Sequence, residues 1–285
     1  LSLSPFLCEP SHNCPESLLT LVEEVPPLRI AFVRAIGKHV METARDALDR
    51  GLAIPTLVGE AEKIISDAES IGWNLEGVRL INAVGEREAI DTSISMVNSG
   101  EVLGLIKGQL HSDVFMGGIV RRDAGIRSDG RMIHIFAMLP PDGGRALLIS
   151  DAAVNVNPSV ETRVDAALQM AEMARRLGVA RPKIAILSAT ESLTKAIPSS
   201  KEAEQIAQLA RKVDKKADYA GPLSLDLALS PVSVISKGIA NDSLLGAVAG
   251  KADALVVPDI VSGNVLFKSL VYFAGGLAAG IVVGG

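Results

Sequence analysis

The residue groupings best suited to chemistry fall in four short polar or glycine-rich clusters. They are Lys107-Gly108-Gln109-Leu110-His111-Ser112-Asp113, the stretch 150–158 with Asp151 and Asn155, Ser188-Ala189-Thr190-Glu191-Ser192, and Pro258-Asp259-Ile260-Val261-Ser262-Gly263-Asn264. Each follows a short apolar run that reads as a strand, and ligands of open α/β sheets collect beyond the carboxyl ends of strands. Their shared character points to one cleft. Lys107 ends the apolar run Val102–Ile106 and precedes a glycine, which places a cation at the sheet edge beside helix N–H groups, a setting suited to an anion. The alternative for Lys107 is a lysine that snorkels at the rim. His111, between Lys107 and Asp113, is either a base or a hydrogen-bonded structural histidine. Asp113, Asn157 and Asn264 fit ligand contacts and helix N-caps equally well. Lys268 lies one turn into a helix expected to begin at Asn264, so it either reaches a phosphate at that helix start or forms a surface pair. Gly221-Pro222-Leu223-Ser224-Leu225-Asp226 offers a sharp turn, a short extended stretch and a carboxylate. Arg121-Arg122-Asp123 and Arg127 read as a solvated helix-end charge run.

Composition narrows the partners. Aromatic residues at 3% leave few rings to stack on bases, and a net charge of −5 is the wrong sign for a non-specific polyanion binder, so no nucleic acid is expected. No dinucleotide GxGxxG, P-loop, HExxH or GxSxG motif occurs. Cys8 and Cys14 have no His or Cys partners at zinc-binding spacing and read as plain thiols. Residues 1–20 lack a basic start and a sustained apolar stretch, which suggests a reducing cytoplasm. The uncharged run Leu270–Gly285 is interrupted by Gly275, Gly276 and Gly280 and is read as helix end, turn and buried strand rather than a membrane span.

Positioning these clusters calls for alternating β and α elements. Leu28–Val33, Ile54–Val58, Val78–Asn82 and Val102–Ile106 read as strands, separated by helices near Lys38–Arg50, Ala61–Ile71 and Arg87–Ser99. Met132–Met138 and Ala146–Ile149 flank Pro140-Pro141-Asp142-Gly143-Gly144, a hairpin signal that marks a second lobe. The alternation resumes with helix Val160–Leu177, strand Lys183–Leu187, helix Lys201–Val213, strand Ala254–Val257 and helix Asn264–Phe273. The expected organisation is an N-terminal arm or linker over 1–27, an α/β domain over 28–130 and a second over 131–285.

In order and spacing the motifs resemble the phosphate acetyl/butyryltransferase family, in particular its butyryltransferase-like branch and the acyltransferase half of fused hydratase/phosphotransacetylase proteins. The resemblance covers nearly everything after Pro26. It rests on Ile106-Lys107-Gly108 with His111-Ser112-Asp113, on Asp151-Ala152-Ala153-Val154-Asn155, and on Lys183-Ile184-Ala185-Ile186-Leu187-Ser188 with Glu191. It continues through Gly221-Pro222-Leu223 with Asp226, Val257-Pro258-Asp259 with Gly263-Asn264 and Lys268, and Ala279-Gly280-Ile281-Val282. The resemblance implies a two-domain fold like that of isocitrate and isopropylmalate dehydrogenases, with mostly parallel sheets and an interdomain cleft, in a homodimer. It implies transfer of an acetyl- or butyryl-type group between acyl phosphate and coenzyme A by direct thiol attack in a ternary complex. Coenzyme A is then a substrate, no resident cofactor or metal is required, and the named loop residues with Lys268 contact substrate, while the catalytic residues stay unassigned. Family members typically continue past the Ala279–Val283 strand into a segment with a Ser-Arg pair and an Asp, so a longer native chain is expected. The competing readings are a coenzyme A-binding domain without catalysis and a decarboxylating dehydrogenase on a similar scaffold.

Overall fold

The computed structural model of the chain describes residues 6–9, 14–126 and 130–284. The chain divides into two compact units, one of Thr20–Ser128 and one of Leu1–Leu19 with Asp129–Gly285. A short helix, α1 (Glu16–Thr20), comes first in sequence.

The Thr20–Ser128 unit contains β1 (Leu28–Val33), α2 (Lys38–Asp49), β2 (Ala53–Gly59), α3 (Ala61–Ser70), β3 (Arg79–Asn82), α4 (Gly85–Asn98), β4 (Gly104–Lys107) and α5 (Ser112–Val120). Its strands are parallel, in the order β3-β2-β1-β4. Successive crossovers move outward from β1 to β3, and β4 then returns to the other side of β1, so the topological switch lies between β1 and β4. Phe32, Met41, Leu57 and Ile64 are fully buried around Trp73 and form the core between the sheet and α2–α3. Burial of each such side chain contributes about 1.5–3 kcal/mol.

The larger unit contains β5 (Ile133–Leu139), β6 (Leu147–Ser150), α6 (Val160–Arg176), β7 (Lys183–Leu187), α7 (Pro198–Val213), β8 (Asp218–Leu223), α8 (Leu225–Leu229), α9 (Pro231–Lys237), β9 (Ala254–Val256), α10 (Ile260–Ala274) and β10 (Leu277–Val283). The sheet order is β10-β5-β6-β9-β7-β8. The Pro140–Gly144 connection makes the expected hairpin: β5 pairs antiparallel with β6 and, on its other side, with β10. The remaining pairs are parallel. Strand β7 shows why its apolar run is nearly continuous. Ile184 and Ile186 pack on the face covered by α6 and α7, whereas Ala185 and Leu187 pack on the opposite face with Leu227, Val234 and Val248. The α6 start is fixed by Ser159, whose hydroxyl accepts the Thr162 N–H at 3.3 Å, and α7 starts on Pro198, whose missing N–H costs nothing there.

Several sequence expectations are corrected. Gly221-Pro222-Leu223 is not a turn but the end of β8, which pairs with β7 across a register shift between Ala185 and Leu187. Helix α10 starts at Ile260, not Asn264, because Asp259 supplies its cap. Strand β10 lies at the sheet edge and is half-exposed rather than buried. In the segment expected as an arm, the Cys8 N–H donates to Tyr272 O at 2.8 Å and its thiol to Phe273 O at 3.2 Å, against the end of α10. Among the described residues no helix is long and apolar enough to cross a membrane.

Candidate functional site

In the Thr20–Ser128 unit the first cluster lies at the carboxyl end of β4, beside the topological switch. Lys107 pairs in register with Val33, the last residue of β1, and its exposed ammonium lies 3.5 Å from Gly108 O. The Gly108 N–H donates to Val33 O at 2.9 Å and the Gln109 N–H to Arg34 O at 3.0 Å, so the loop is laid directly on the end of β1. Only glycine permits that approach. A Cβ on residue 108 would stand 2.5 Å from Arg34 O and 2.6 Å from Val33 O. Ser112 and Asp113 open α5 with exposed side chains. The residue at the cap position is His111, whose side chain does not cap, so the cap reading of Asp113 fails.

The His111 ring is turned instead toward Glu86, in the first turn of α4. Its Nδ1 lies 2.8 and 3.0 Å from the two carboxylate oxygens, and its backbone N–H donates to Oε2 at 3.2 Å. Behind Glu86 stands Arg34, which follows β1. Arg34 donates to Glu86 Oε1 at 3.3 Å, to Gln109 O at 2.9 Å and to both Glu60 oxygens at 3.0 and 3.4 Å. Arg34 takes the left-handed conformation, φ 53°, the only non-glycine positive φ among the described residues. That conformation costs about 1–2 kcal/mol, and the converging hydrogen bonds offset it. The Arg34 guanidinium holds the Glu60 carboxyl at about 2, against opposing desolvation. Desolvation pushes Glu86 up, but the His111 backbone and ring hydrogen bonds, with Arg34, outweigh it and leave that carboxyl below its ordinary range. Next to this network, Ile36, Gly37, Glu62, Lys63, Ser66, Asp67 and Gln109 line an open depression of about 560 Å³.

Sequence reasoning missed Arg34, Glu60 and Glu86. The signal was available: Arg34 and Glu60 directly follow β1 and β2, and Glu86 lies in the first turn after β3, the same strand-end rule that selected Lys107.

The other predicted residues lie in the larger unit and, Lys268 excepted, at the carboxyl edge of β6, β9, β7 and β8. Asp151 is 4% exposed and organises its loop from within. Its Oδ1 accepts the Ala153 and Val154 N–H groups at 2.9 Å, and its Oδ2 accepts the Asn155 N–H at 3.3 Å, the Asn155 Nδ2 at 2.6 Å and the His134 N–H at 3.2 Å. Asn155 also donates to Met132 O at 2.9 Å. Both side chains are therefore committed to shaping the loop, which leaves its backbone as the surface on offer. The same loop meets the start of α10: the Ile260 N–H donates to Val156 O at 3.2 Å, and Gly263 packs so tightly that a Cβ there would stand 2.7 Å from Asp151 O. Asp259 caps α10 through the Ser262 N–H at 2.8 Å. The cap readings of Asn157 and Asn264 consequently fail, since Ser159 and Asp259 do that work. Lys268 sits more than two turns into α10, with its ammonium 6.0 Å from the Phe267 ring centroid, away from the helix start.

Ser188 follows β7, and its hydroxyl lies 3.0 Å from that of Ser199 at the start of α7. Glu191 pairs with Lys237 at 3.0 Å, and its carboxyl is lowered first by a hydrogen bond from its own backbone and then by that lysine. Asp226 accepts the Ser224 hydroxyl at 2.7 Å, which lowers its carboxyl. The structure thus assembles Lys107, Gly108, His111, Ser112 and Asp113 on one sheet edge. It assembles Asp151, Asn155, Asp259, Gly263 and Asn264 on the other sheet, with Ser188, Glu191 and Asp226 along the same edge. Arg121, expected as solvated, pairs with Asp91 at 2.9 Å, while Arg127 lies outside the described residues.

Residues 86–285 match the family model described as Phosphate acetyl/butaryl transferase. A phosphate acetyltransferase of Rickettsia prowazekii is 33% identical over 94% of this chain and 76% of its own. A phosphate butyryltransferase of Clostridium acetobutylicum is 29% identical over 90% of this chain and 84% of its own. Among solved structures, a branched-chain phosphotransacylase from Enterococcus faecalis superposes with a TM-score of 0.76 at 25% identity, covering 90% of this chain and 88% of that one. A phosphotransacetylase from Streptococcus pyogenes shares the fold at a TM-score of 0.80 and 20% identity, covering 94% and 89%. With a family match across most of its length and a relative above 30% identity, the chain belongs to the phosphate acetyl/butyryltransferase family and is a phosphate acyltransferase.

Proposed function

We propose that the protein moves an acetyl- or butyryl-type acyl group between acyl phosphate and coenzyme A, by direct attack of the thiol in a ternary complex. The observation that carries this reading is the family match across residues 86–285, which takes in every strand-end loop from Lys107 to Lys268. The chemistry needs charge control rather than a protein nucleophile. A thiol with a pKa near about 8.5 is slightly ionised at neutral pH, so a base or cation must favour the thiolate. The carbonyl oxygen and the departing phosphate need donors, for which Lys107 and the N–H groups of the loops after β4 and β6 are the candidates. The loop beginning at Asp151 suits this role because its carboxylate fixes the backbone from inside.

Under this reading coenzyme A is a substrate rather than a resident cofactor, and the protein works as a homodimer in the cytoplasm. The test is thioester formation from coenzyme A with acetyl or butyryl phosphate, alongside light scattering for the mass in solution. Turnover with either acyl phosphate supports the reading. Coenzyme A binding by calorimetry without any thioester product refutes it.

A further inference from the structure

The two faces of the larger sheet are covered by helices of opposite outward character. Helices α6 and α7 pack on one face through Val164, Met170, Ile206 and Ala210. The residues that they turn to solvent are polar or charged: Gln169, Glu172 and Arg176 on α6, and Gln205, Gln208 and Lys212 on α7. Helices α8, α9 and α10 pack on the other face, α8 through Leu227, α9 through Val234 and α10 through Leu266, Phe267, Leu270 and Val271. Much of what these three turn to solvent is apolar. On α8 and α9 it includes Leu229, Val232 at 75% exposure and Ile235 at 79%. Along α10 the exposed positions run Val261, Val265, Lys268 and Tyr272, and Lys268 is the single charge of that helix.

A helix that is apolar all round belongs in an interior, yet Gly263 is the one buried residue of α10. The uncovered apolar surface of this layer is on the order of 700 Å², beyond the roughly 300–600 Å² of the largest patch on a monomer and close to the ~800 Å² per partner of a standard interface. The spacing says what covers it. The exposed residues of α10 are separated by four, three and four positions, the pattern of a helix–helix seam. The series is also symmetric about the midpoint between Leu266 and Phe267, since Val261 and Tyr272 lie equally far from it, as do Val265 and Lys268. Laid antiparallel on a second copy of itself, Val261 meets Tyr272 and Val265 meets Lys268, so each lysine stem lies over an aliphatic side chain and the two ammonium groups are offset. Self-matching of this kind is what a two-fold interface requires.

Resting on the homodimer reading above, we infer that two copies associate through the α8–α10 layer of the larger unit, with α10 antiparallel to α10 of the second copy across the two-fold axis. The contact between Val265 and Lys268 then occurs twice in each dimer, so a substitution at either residue acts twice on the association constant.

The test is sedimentation equilibrium of the full chain and of variants at exposed positions, with far-ultraviolet circular dichroism to check that each variant is folded. The unaltered protein is expected as a dimer. Val265→Arg sets a guanidinium against Lys268 of the second copy in both contacts, and the dimer Kd rises about 100-fold or more. Val265→Glu is as polar but meets the same lysine with opposite charge, so its Kd rises less, by about tenfold or more. Ile235→Arg, on the same layer, raises Kd about tenfold or more, whereas Gln205→Arg on the polar layer leaves it within about threefold. The gap between Val265→Arg and Val265→Glu reads the antiparallel register, which loss of apolar area alone would not produce. A dimer whose Kd moves by less than about threefold in Val265→Arg, or by equal factors in Val265→Arg and Val265→Glu, overturns the inference while leaving the homodimer and acyl-transfer readings intact. A single-copy mass for the unaltered protein at every concentration removes the homodimer reading with it, and thioester formation, scored separately, still decides acyl transfer.

Discussion

The contact between Gly108 and the end of β1 allows a quantitative forecast for Gly108→Ala. The added methyl would lie 2.5 and 2.6 Å from two backbone carbonyl oxygens, those of Arg34 and Val33, and 3.0 Å from the Arg34 carbonyl carbon. Neither carbonyl can turn aside, because each already accepts an N–H from this loop, at 2.9 Å for Val33 and 3.0 Å for Arg34. Relief requires a backbone shift of roughly 0.8 Å, and overpacking of that kind costs about 1–3 kcal/mol. With a urea slope of about 1–3 kcal/mol per molar, the unfolding midpoint should fall by on the order of 1 M. The chain has one tryptophan, Trp73, and it lies in the core of the same unit, so its fluorescence reports this unit directly. A displacement of this size in the loop that carries Lys107 and His111 should also lower kcat/KM by about 10- to 100-fold. Gly117→Ala is the matched control. Residue 117 lies within α5, where an added methyl would meet nothing within 4 Å, and the substitution should gain up to about 1 kcal/mol of helix propensity. A Gly108→Ala protein that unfolds at the unaltered midpoint with full activity would refute the close-approach argument, as would equal losses in both variants.

Asp151→Asn keeps the shape of the loop anchor but turns one acceptor into a donor facing the Asn155 and His134 N–H groups, so unfolding of the larger unit should cost about 2–3 kcal/mol less. Hydrogen exchange should report faster opening of residues 152–157, and unchanged protection there would contradict the anchoring role. For Glu60 the folded carboxyl titrates at about 2 against an ordinary 4.5, so the unfolded chain binds the extra proton between those values. Its contribution, about 1–3 kcal/mol after allowance for partial solvent screening, is fully present above pH 4.5 and lost as pH falls toward 2. Glu60→Gln should flatten the Trp73-monitored acid limb over that window, and an unchanged limb would count against the Arg34 pairing.

The strands were legible wherever an apolar run coincided with burial. Leu28–Val33 and Lys183–Leu187 are found with their sequence-derived bounds, because a parallel strand covered on both faces needs little besides β-branched and aliphatic residues. Glycine and proline misled where tertiary packing overrode local preference. Gly263 suggested a loop, yet it is the residue that lets the first turn of α10 approach Asp151, and Gly221-Pro222 suggested a turn inside a paired strand. The candidate site was legible as a set of strand ends but not as a network. Arg34, Glu60, Glu86 and His111 are drawn from separate βα connections, and nothing in their local sequence says which carboxylate meets which cation. Sequence likewise offered Asp151 and Asn155 as substrate ligands, whereas the structure turns both inward, because a buried carboxylate at a strand end first satisfies the donors of its own loop.

Strand β10 has a consequence for how the protein is made. Its partner β5 leaves the ribosome roughly 140 residues earlier, since Leu277 pairs with Leu139 and Val283 with Ile133. During that interval β5 presents one flank with no strand beside it, an invitation to other chains that the nascent protein must survive. The Thr20–Ser128 sheet faces no such wait, because all of its strands emerge in one stretch. Vectorial synthesis therefore gives the unit that bears His111 a head start, and it makes the sheet that bears Asp151 the one whose completion depends on late-arriving chain.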